Sequence, residues 1–374
     1  MSEPIPEAAV KKISINDIKP DMVLARDVVT SGGTVLLAKN TMLNNINYTK
    51  LIASGISYIY VISGSIDEKT ASFTEKERHC PSLEEQRQPV TKQPEFIAFQ
   101  EAIDEKTEEA KQCIMAISDG QNIDLQKMFT ITDDIMGTLR CKNDIFTFIG
   151  FIKESDEHTF HHCVNVSLIC NLYGRWLALP QSELVELTTA GMLHDIGKTK
   201  IPNEILNKKG KLTDEEFAVM KKHPVIGYRI LQNQNIPESV KLGALMHHEK
   251  IDGSGYPMGA KGDQIGKIAK IITICDIYDA MTSNRVYRSK ICPFSVIKTF
   301  ETKVYGELDT QYLLIFLKNI AYTYIGSWVS LSDGVEAEVI FINSAQLSRP
   351  IVRTLDEQFI DLSKRKDITI DSLV

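Results

Sequence analysis

The stretch HHEKIDGSGYP, residues 247–257, sets two histidines side by side ahead of a loop with glycines at 253 and 255 and a proline at 257. Neutral imidazole is the commonest metal ligand. Successive residues of a helix point about 100° apart. An adjacent histidine pair therefore serves one ion only at a helix end, or it straddles two ions. Working outward, seven of the eight histidines fall between residues 158 and 248, at 158, 161, 162, 194, 223, 247 and 248. His79 stands apart in a polar stretch. Any one histidine reads most simply as a surface or packed residue, but seven in this window read as a cluster. His158 and His162 are i and i+4, so on a helix they share a face. His194 is followed by Asp195 at the end of an apolar helix, under the same constraint as the 247–248 pair. This geometry suits a two-metal cluster in which a carboxylate bridges the ions. A second carboxylate, Asp276, follows the apolar run IAKIITIC. A carboxylate rarely sits there unless paired or metal-bound. An exposed helix turn or a buried lysine pair is the competing reading.

Around these residues the spacing is helical. Helical periodicity begins near Phe96 and continues, with breaks, to about Leu317. QSELVELTTAGML (181–193) repeats apolar residues at helical intervals, and Thr213 with Glu216 forms a capping-box pattern ahead of EEFAVMKK. Residues 12–62 read as strands, a helix and a strand; residues 63–93 are polar and without period. Strand-like runs return in GSWVSLSDGVEAEVIFIN and PIVRTL. The predicted architecture is multidomain and mainly α. It has a small N-terminal α+β module (1–62), a polar linker (63–93), a helical connector (94–144), a helical domain (145–320) and a short C-terminal strand-rich extension and tail (321–374).

The 374 residues carry a net charge of −7, with 43% hydrophobic residues. That charge argues against general nucleic-acid binding, which needs a basic field. The sequence holds no run of apolar residues long enough to cross a membrane, and MSEPIPEAAVKK lacks an apolar signal core. The seven cysteines are scattered without a CxxC pair, as expected for reduced thiols in a cytoplasm.

The motifs LHDIGKTKIP, ILNKKGKLTDEEF, KKHPVIG, HHEKIDGSGYPMGAKGDQI and DIYDAMTSNRVYR, in this order, resemble the HD-GYP family, a branch of the HD-domain metal-dependent phosphohydrolases. The resemblance covers roughly residues 145–320. It implies an all-helical HD-type domain with a binuclear, in some members trinuclear, non-haem iron or manganese centre. It also implies hydrolysis of cyclic di-GMP or 3′,3′-cyclic GMP-AMP to the linear dinucleotide or on to mononucleotides, through a metal-bridging hydroxide. Carried over residue by residue, the ligands are His162, His194, Asp195, His223, His247, His248 and Asp276, with Asp195 bridging. Lys198 of HDIGK lies near the hydroxide and a phosphate. Arg285 and Arg288 match phosphate-contacting positions, and a guanidinium fork suits phosphate. Gly255, Tyr256 and Pro257 form the substrate loop, with Tyr256 either touching substrate or holding the loop. His158 departs from the family's tyrosine or glutamate: it either ligates a third metal or packs. Lys270 keeps a positive charge where arginine is common. The expected partners are a cyclic dinucleotide, GGDEF-type signalling proteins and a second copy of the chain. The competing readings are a catalytically inactive cyclic-dinucleotide sensor or protein-interaction module, or another HD-type nucleotide phosphohydrolase.

Overall fold

The apolar period that starts at Phe96 folds into packed helices. The computed structural model describes residues 10–14, 22–29, 35–37, 41, 43, 51, 58–62, 90–139, 144–152, 158–282, 291–302 and 306–374. The chain divides into two compact units, residues 1–87 and 88–374. Apart from residues 90–93, the expected linker lies outside the described residues, as does most of the expected N-terminal helix.

In the first unit, β1 (Val10–Ser14) pairs antiparallel with β4 (Tyr58–Ile62), and β2 (Val28–Val29) with β3 (Val35–Leu37). Ile13, Leu24, Val28, Leu37, Leu43, Leu51, Ile59 and Val61 form its buried cluster. These are the strands read from the alternating pattern.

The second unit opens with α1 (Pro94–Ser118), whose proline at the first turn costs no hydrogen bond. It buries Phe96, Phe99, Ile103, Thr107, Ala110, Ile114 and Ile117, a single stripe at three- and four-residue steps. Then follow α2 (Leu125–Gly137), α3 (Ile145–Phe151), α4 (His158–Trp176) and α5 (Gln181–Leu193). A 3-10 turn (Ile196–Lys200) leads to α6 (Asn203–Leu206), α7 (Asp214–Met220), α8 (His223–Leu231) and α9 (Glu238–Met246). The helical part ends with α10 (Lys267–Thr282), α11 (Pro293–Thr302) and α12 (Thr310–Thr323). The capping box starts α7 as its sequence predicts. Thr213 Oγ1 accepts from Glu216 N at 3.3 Å, and Glu216 Oε2 accepts from Thr213 N at 2.7 Å.

α10 is buried on nearly every face, so it is a central helix, with α4 and α5 against it. Gly191 lets α5 approach α4 closely; a Cβ there would lie 3.0 Å from Cys170 Sγ and 3.2 Å from Ser167 Cα. At one end the rings of Phe146, Trp176, Tyr278 and Phe316 interlock α3, α4, α10 and α12. Aromatic pairs of this kind contribute about 0.5–1.5 kcal/mol beyond their buried area. α1 and α2, expected as a connector, share this same core.

The C-terminal residues form an antiparallel five-stranded sheet in the order β8-β7-β6-β5-β9. Its strands are β5 (Trp328–Leu331), β6 (Glu336–Phe341), β7 (Ile351–Thr354), β8 (Phe359–Asp361) and β9 (Ile370–Leu373). One face alternates inward through Val329, Leu331, Ala337, Val339 and Val352 and joins the helical core. The Glu301 carboxylate ties α11 to it by accepting from Leu347 N and Ser348 Oγ. Among the described residues no helix is long and apolar enough to cross a membrane.

Candidate metal centre

His194 caps the C-terminus of α5, and Asp195 stands just before the 3-10 turn with φ −98° and ψ 9°. His223 opens α8, His247 closes α9, and His248 follows it. His162 projects from α4, and Asp276 and Asp279 from α10. The adjacent pairs thus sit at helix ends, where successive side chains can converge. The C-terminal ends of α5 and α9 also carry partial negative charge toward the cluster, which favours a cation.

Three histidines are locked by one device. Nδ1–H of His194 donates to Gly191 O at 2.7 Å, that of His223 to Met220 O at 2.8 Å, and that of His247 to Ala244 O at 3.0 Å. Each acceptor is a last-turn carbonyl that its helix leaves without an amide partner. A carbonyl only accepts, so the proton of each neutral ring is on Nδ1 and its Nε2 lone pair is bare. Those Nε2 atoms point at acceptors. His223 Nε2 lies 3.2 Å from His247 Nε2 and 3.2 Å from Asp195 Oδ1. His194 Nε2 lies 3.3 Å from His162 Nε2 and 3.3 Å from Asp195 Oδ2. Asp195 Oδ1 is buried and accepts no hydrogen bond. Lone pairs gathered around a buried carboxylate need a cation between them.

Two donor groups emerge: Asp195 with His223, His247 and His248, and Asp195 with His162 and His194. Asp195 belongs to both, one oxygen turned to each side. Asp276 spans the same gap, with Oδ1 3.0 Å from His162 Nε2 and Oδ2 3.8 Å from His248 Nδ1. Imidazole and carboxylate donors around a shared carboxylate suit divalent transition metals. The cluster is thus suited to a metal site.

The protonation states agree. Burial holds His247 down at about 4, and burial with the neighbouring His247 holds His248 at about 2, so both rings are neutral at neutral pH. Burial alone would raise Asp195, but Lys198 and the surrounding histidines outweigh it and keep the carboxyl well below its usual range. Asp276 is lowered against its burial in the same way, chiefly by His162. At His162 burial opposes the charge, yet Asp276 and Asp279 prevail and lift it to about 9. The proton on His162 Nε2 therefore occupies the position a metal would take.

Lys198 Nζ lies 2.5 Å from Asp195 Oδ2, at the partly open side of the cluster. Tyr256 lies over His248, ring centroids 4.7 Å apart at 30°. Its amide donates to His248 O at 3.2 Å. Gly255 is needed where the loop folds back, since a Cβ would sit 2.5 Å from Glu249 Cα and from His248 O. Pro257 follows Tyr256 in the same loop. His161 is buried on α4 but joins neither donor group. His158 begins α4, and its side chain lies outside what is described. Arg285 and Arg288 lie outside the described residues. Lys270 pairs with Asp309 at 3.0 Å.

Three residues had escaped the sequence reading. Asp279 Oδ2 accepts from His162 Nδ1 at 2.6 Å and orients that ring. Its i+3 spacing from Asp276 was the available signal. Glu249, buried, accepts from Met258 N at 2.7 Å and Ala260 N at 2.9 Å and so closes the glycine loop. Gly197 lets the 3-10 turn lie against α8, where a Cβ would sit 1.9 Å from His223 O.

A helical domain organised around a buried histidine–aspartate cluster defines a class, and comparison with known proteins adds a family match. Residues 147–305 match the family model described as HD domain. A cyclic di-GMP phosphodiesterase of Pseudomonas aeruginosa is 34% identical over 256 residues, 66% of this chain and 61% of that one. One of Thermotoga maritima is 37% identical over 188 residues, 48% of this chain and 51% of that one. A 3′3′-cGAMP-specific phosphodiesterase of Vibrio cholerae is 33% identical over 168 residues, 45% of this chain and 36% of that one. The chain spans between about a third and three-fifths of the length of these relatives.

Proposed function

We propose that the protein is a metal-dependent phosphodiesterase that opens cyclic dinucleotides, cyclic di-GMP or 3′,3′-cyclic GMP-AMP, to the linear form and on to mononucleotides. The observation that carries this reading is the shared carboxylate: Asp195 turns one oxygen to each of two histidine groups whose lone pairs face it. Relatives named for the same reaction support it. His162, His194, Asp195, His223, His247, His248 and Asp276 would hold a binuclear iron or manganese centre, with His158 the candidate for a third ion. When bound, such ions acidify water and neutralise phosphate charge.

The chain's own groups do the rest. Asp195 and Asp276 would each offer an oxygen to both donor groups. The i−3 carbonyls keep the imidazoles in the ligating tautomer, so no proton rearrangement precedes binding at His194, His223 or His247. Asp279 orients His162 through Nδ1, but that ring would have to give up its Nε2 proton to ligate. Lys198 is raised because Asp195 outweighs its burial. It stays an ammonium and offsets negative charge developing on the phosphate. Tyr256, with Gly255 and Pro257, holds the substrate beside His248, and Arg285 and Arg288 contact phosphate. We place the protein in the cytoplasm, acting as a homodimer alongside GGDEF-type partners.

The test is product chromatography of both cyclic dinucleotides after incubation with anaerobically purified protein loaded with iron or manganese. Ring opening by the wild type, and none by Asp195→Ala, is expected. Full metal loading without cleavage of either ring would overturn the reading.

A further inference from the structure

α7 carries no buried residue, yet it presents Phe217 with 44% of its surface exposed. Nearly half of this ring is therefore open to a ligand. Four residues on, at the end of the same helix, stands Lys221. Its ammonium lies 4.7 Å from the Phe217 ring centroid and 5.4 Å from that of Tyr256. Among the described residues Lys221 forms no ion pair. The Tyr256 hydroxyl, among the same residues, has no hydrogen-bond partner, and its ring lies against His248 of the metal cluster. A line thus runs outward from the cluster: His248, Tyr256, Lys221, Phe217.

A cyclic dinucleotide carries two phosphodiesters and two purines. The cluster, Lys198 and the two arginines would take one phosphodiester, and the other needs a further cation that no carboxylate has already claimed. Lys221 has that property. A cation held over two aromatic faces keeps its position without a partner anion. An exposed aromatic face is what a purine stacks on.

We propose that Lys221 and Phe217 form the outer half of the substrate site, with Lys221 meeting the second phosphodiester and Phe217 stacking a purine. This rests on the phosphodiesterase reading. Both residues bind the ring that is being cut without touching the reacting atoms, so they govern KM rather than kcat.

The experiment measures KM and kcat for cyclic di-GMP and cyclic GMP-AMP over a range of salt concentrations. The proteins are the metal-loaded full chain and its Lys221→Ala, Lys221→Arg, Phe217→Ala and Phe217→Tyr variants. Lys222→Ala, the exposed neighbour, is the charge-matched control. Loss of one base stack or one phosphate contact is expected to raise KM about ten-fold, with kcat within about two-fold. Lys221→Ala alone should flatten the dependence of KM on salt, because one phosphate contact is lost. Lys221→Arg and Phe217→Tyr should return KM toward the wild type, and Lys222→Ala should leave it unchanged. If the wild type turns over the dinucleotides and both alanine variants keep its KM, this inference falls and the phosphodiesterase reading stands. If the wild type cleaves bis(p-nitrophenyl) phosphate but neither binds nor cleaves a cyclic dinucleotide, both fall together.

Discussion

Glu249→Gln and Glu249→Ala test whether one buried carboxylate holds the glycine loop in place. Glu249 is only 2% exposed and accepts two amides, Met258 N at 2.7 Å and Ala260 N at 2.9 Å. Hydrogen bonds to a charged group contribute about 1.5–3 kcal/mol each. Glutamine keeps one acceptor oxygen and turns an NH2 toward the second amide, so it loses one bond. Closing the loop then costs about 2 kcal/mol more, and alanine, losing both bonds, about 3–6 kcal/mol. The readout is hydrogen exchange. At about 1.4 kcal/mol per ten-fold, the Met258 or Ala260 amide should exchange roughly thirty-fold faster in the glutamine variant, and both much faster in the alanine variant. Amides whose exchange does not require the loop to open should stay unchanged, because opening is local. Unchanged exchange at residues 258 and 260 in both variants would refute the argument.

Gly197→Ala drives a Cβ into the backbone of α8 at His223; it should lower stability by about 3 kcal/mol or more and reduce bound metal, read by thermal melting and elemental analysis. Asp279→Ala removes the acceptor of His162 Nδ1 and should weaken manganese binding roughly 10- to 100-fold in chelator competition, with circular dichroism unchanged. Asp144→Asn tests a pH effect: burial, with the charge of Glu95, raises this carboxyl from 3.8 to about 6. Because ionisation is disfavoured in the folded state, the destabilisation is full above pH 6 and gone below about pH 4. The asparagine variant should therefore be more stable by about 1 kcal/mol at pH 7.5, after discounting for partial exposure, and indistinguishable at pH 4, as chemical denaturation will show.

The site was more legible than its support because the two follow different rules. Five of the seven histidines in one window converge with Asp195 on a site suited to a metal, and their crowding is visible in the sequence. The helix-end argument for the adjacent pairs also needs only the geometry of one helix, and His194 with Asp195 and His247 with His248 sit where it requires. Glu249 obeys no such local rule: its partners are nine and eleven residues away, and only the path of the loop brings them back. Asp279 carried a readable i+3 spacing, but an aspartate near a helix end has ordinary explanations. The sheet shows the same division. β5 and β6 alternate strongly and were expected, whereas β8 and β9, drawn from the polar run EQFIDLSKRKDITIDSLV, have burial patterns too weak to announce a strand. β7 and β5 supply the edges on which they form. Helix ends matter most at the histidine–aspartate cluster itself. Residues deep within a helix could offer one ligand per turn, but its terminal carbonyls are free to hold an imidazole proton. Three of the cluster histidines use that freedom in the same way, so one feature of helix termini both gathers the ligands and sets the tautomer in which they can bind a cation.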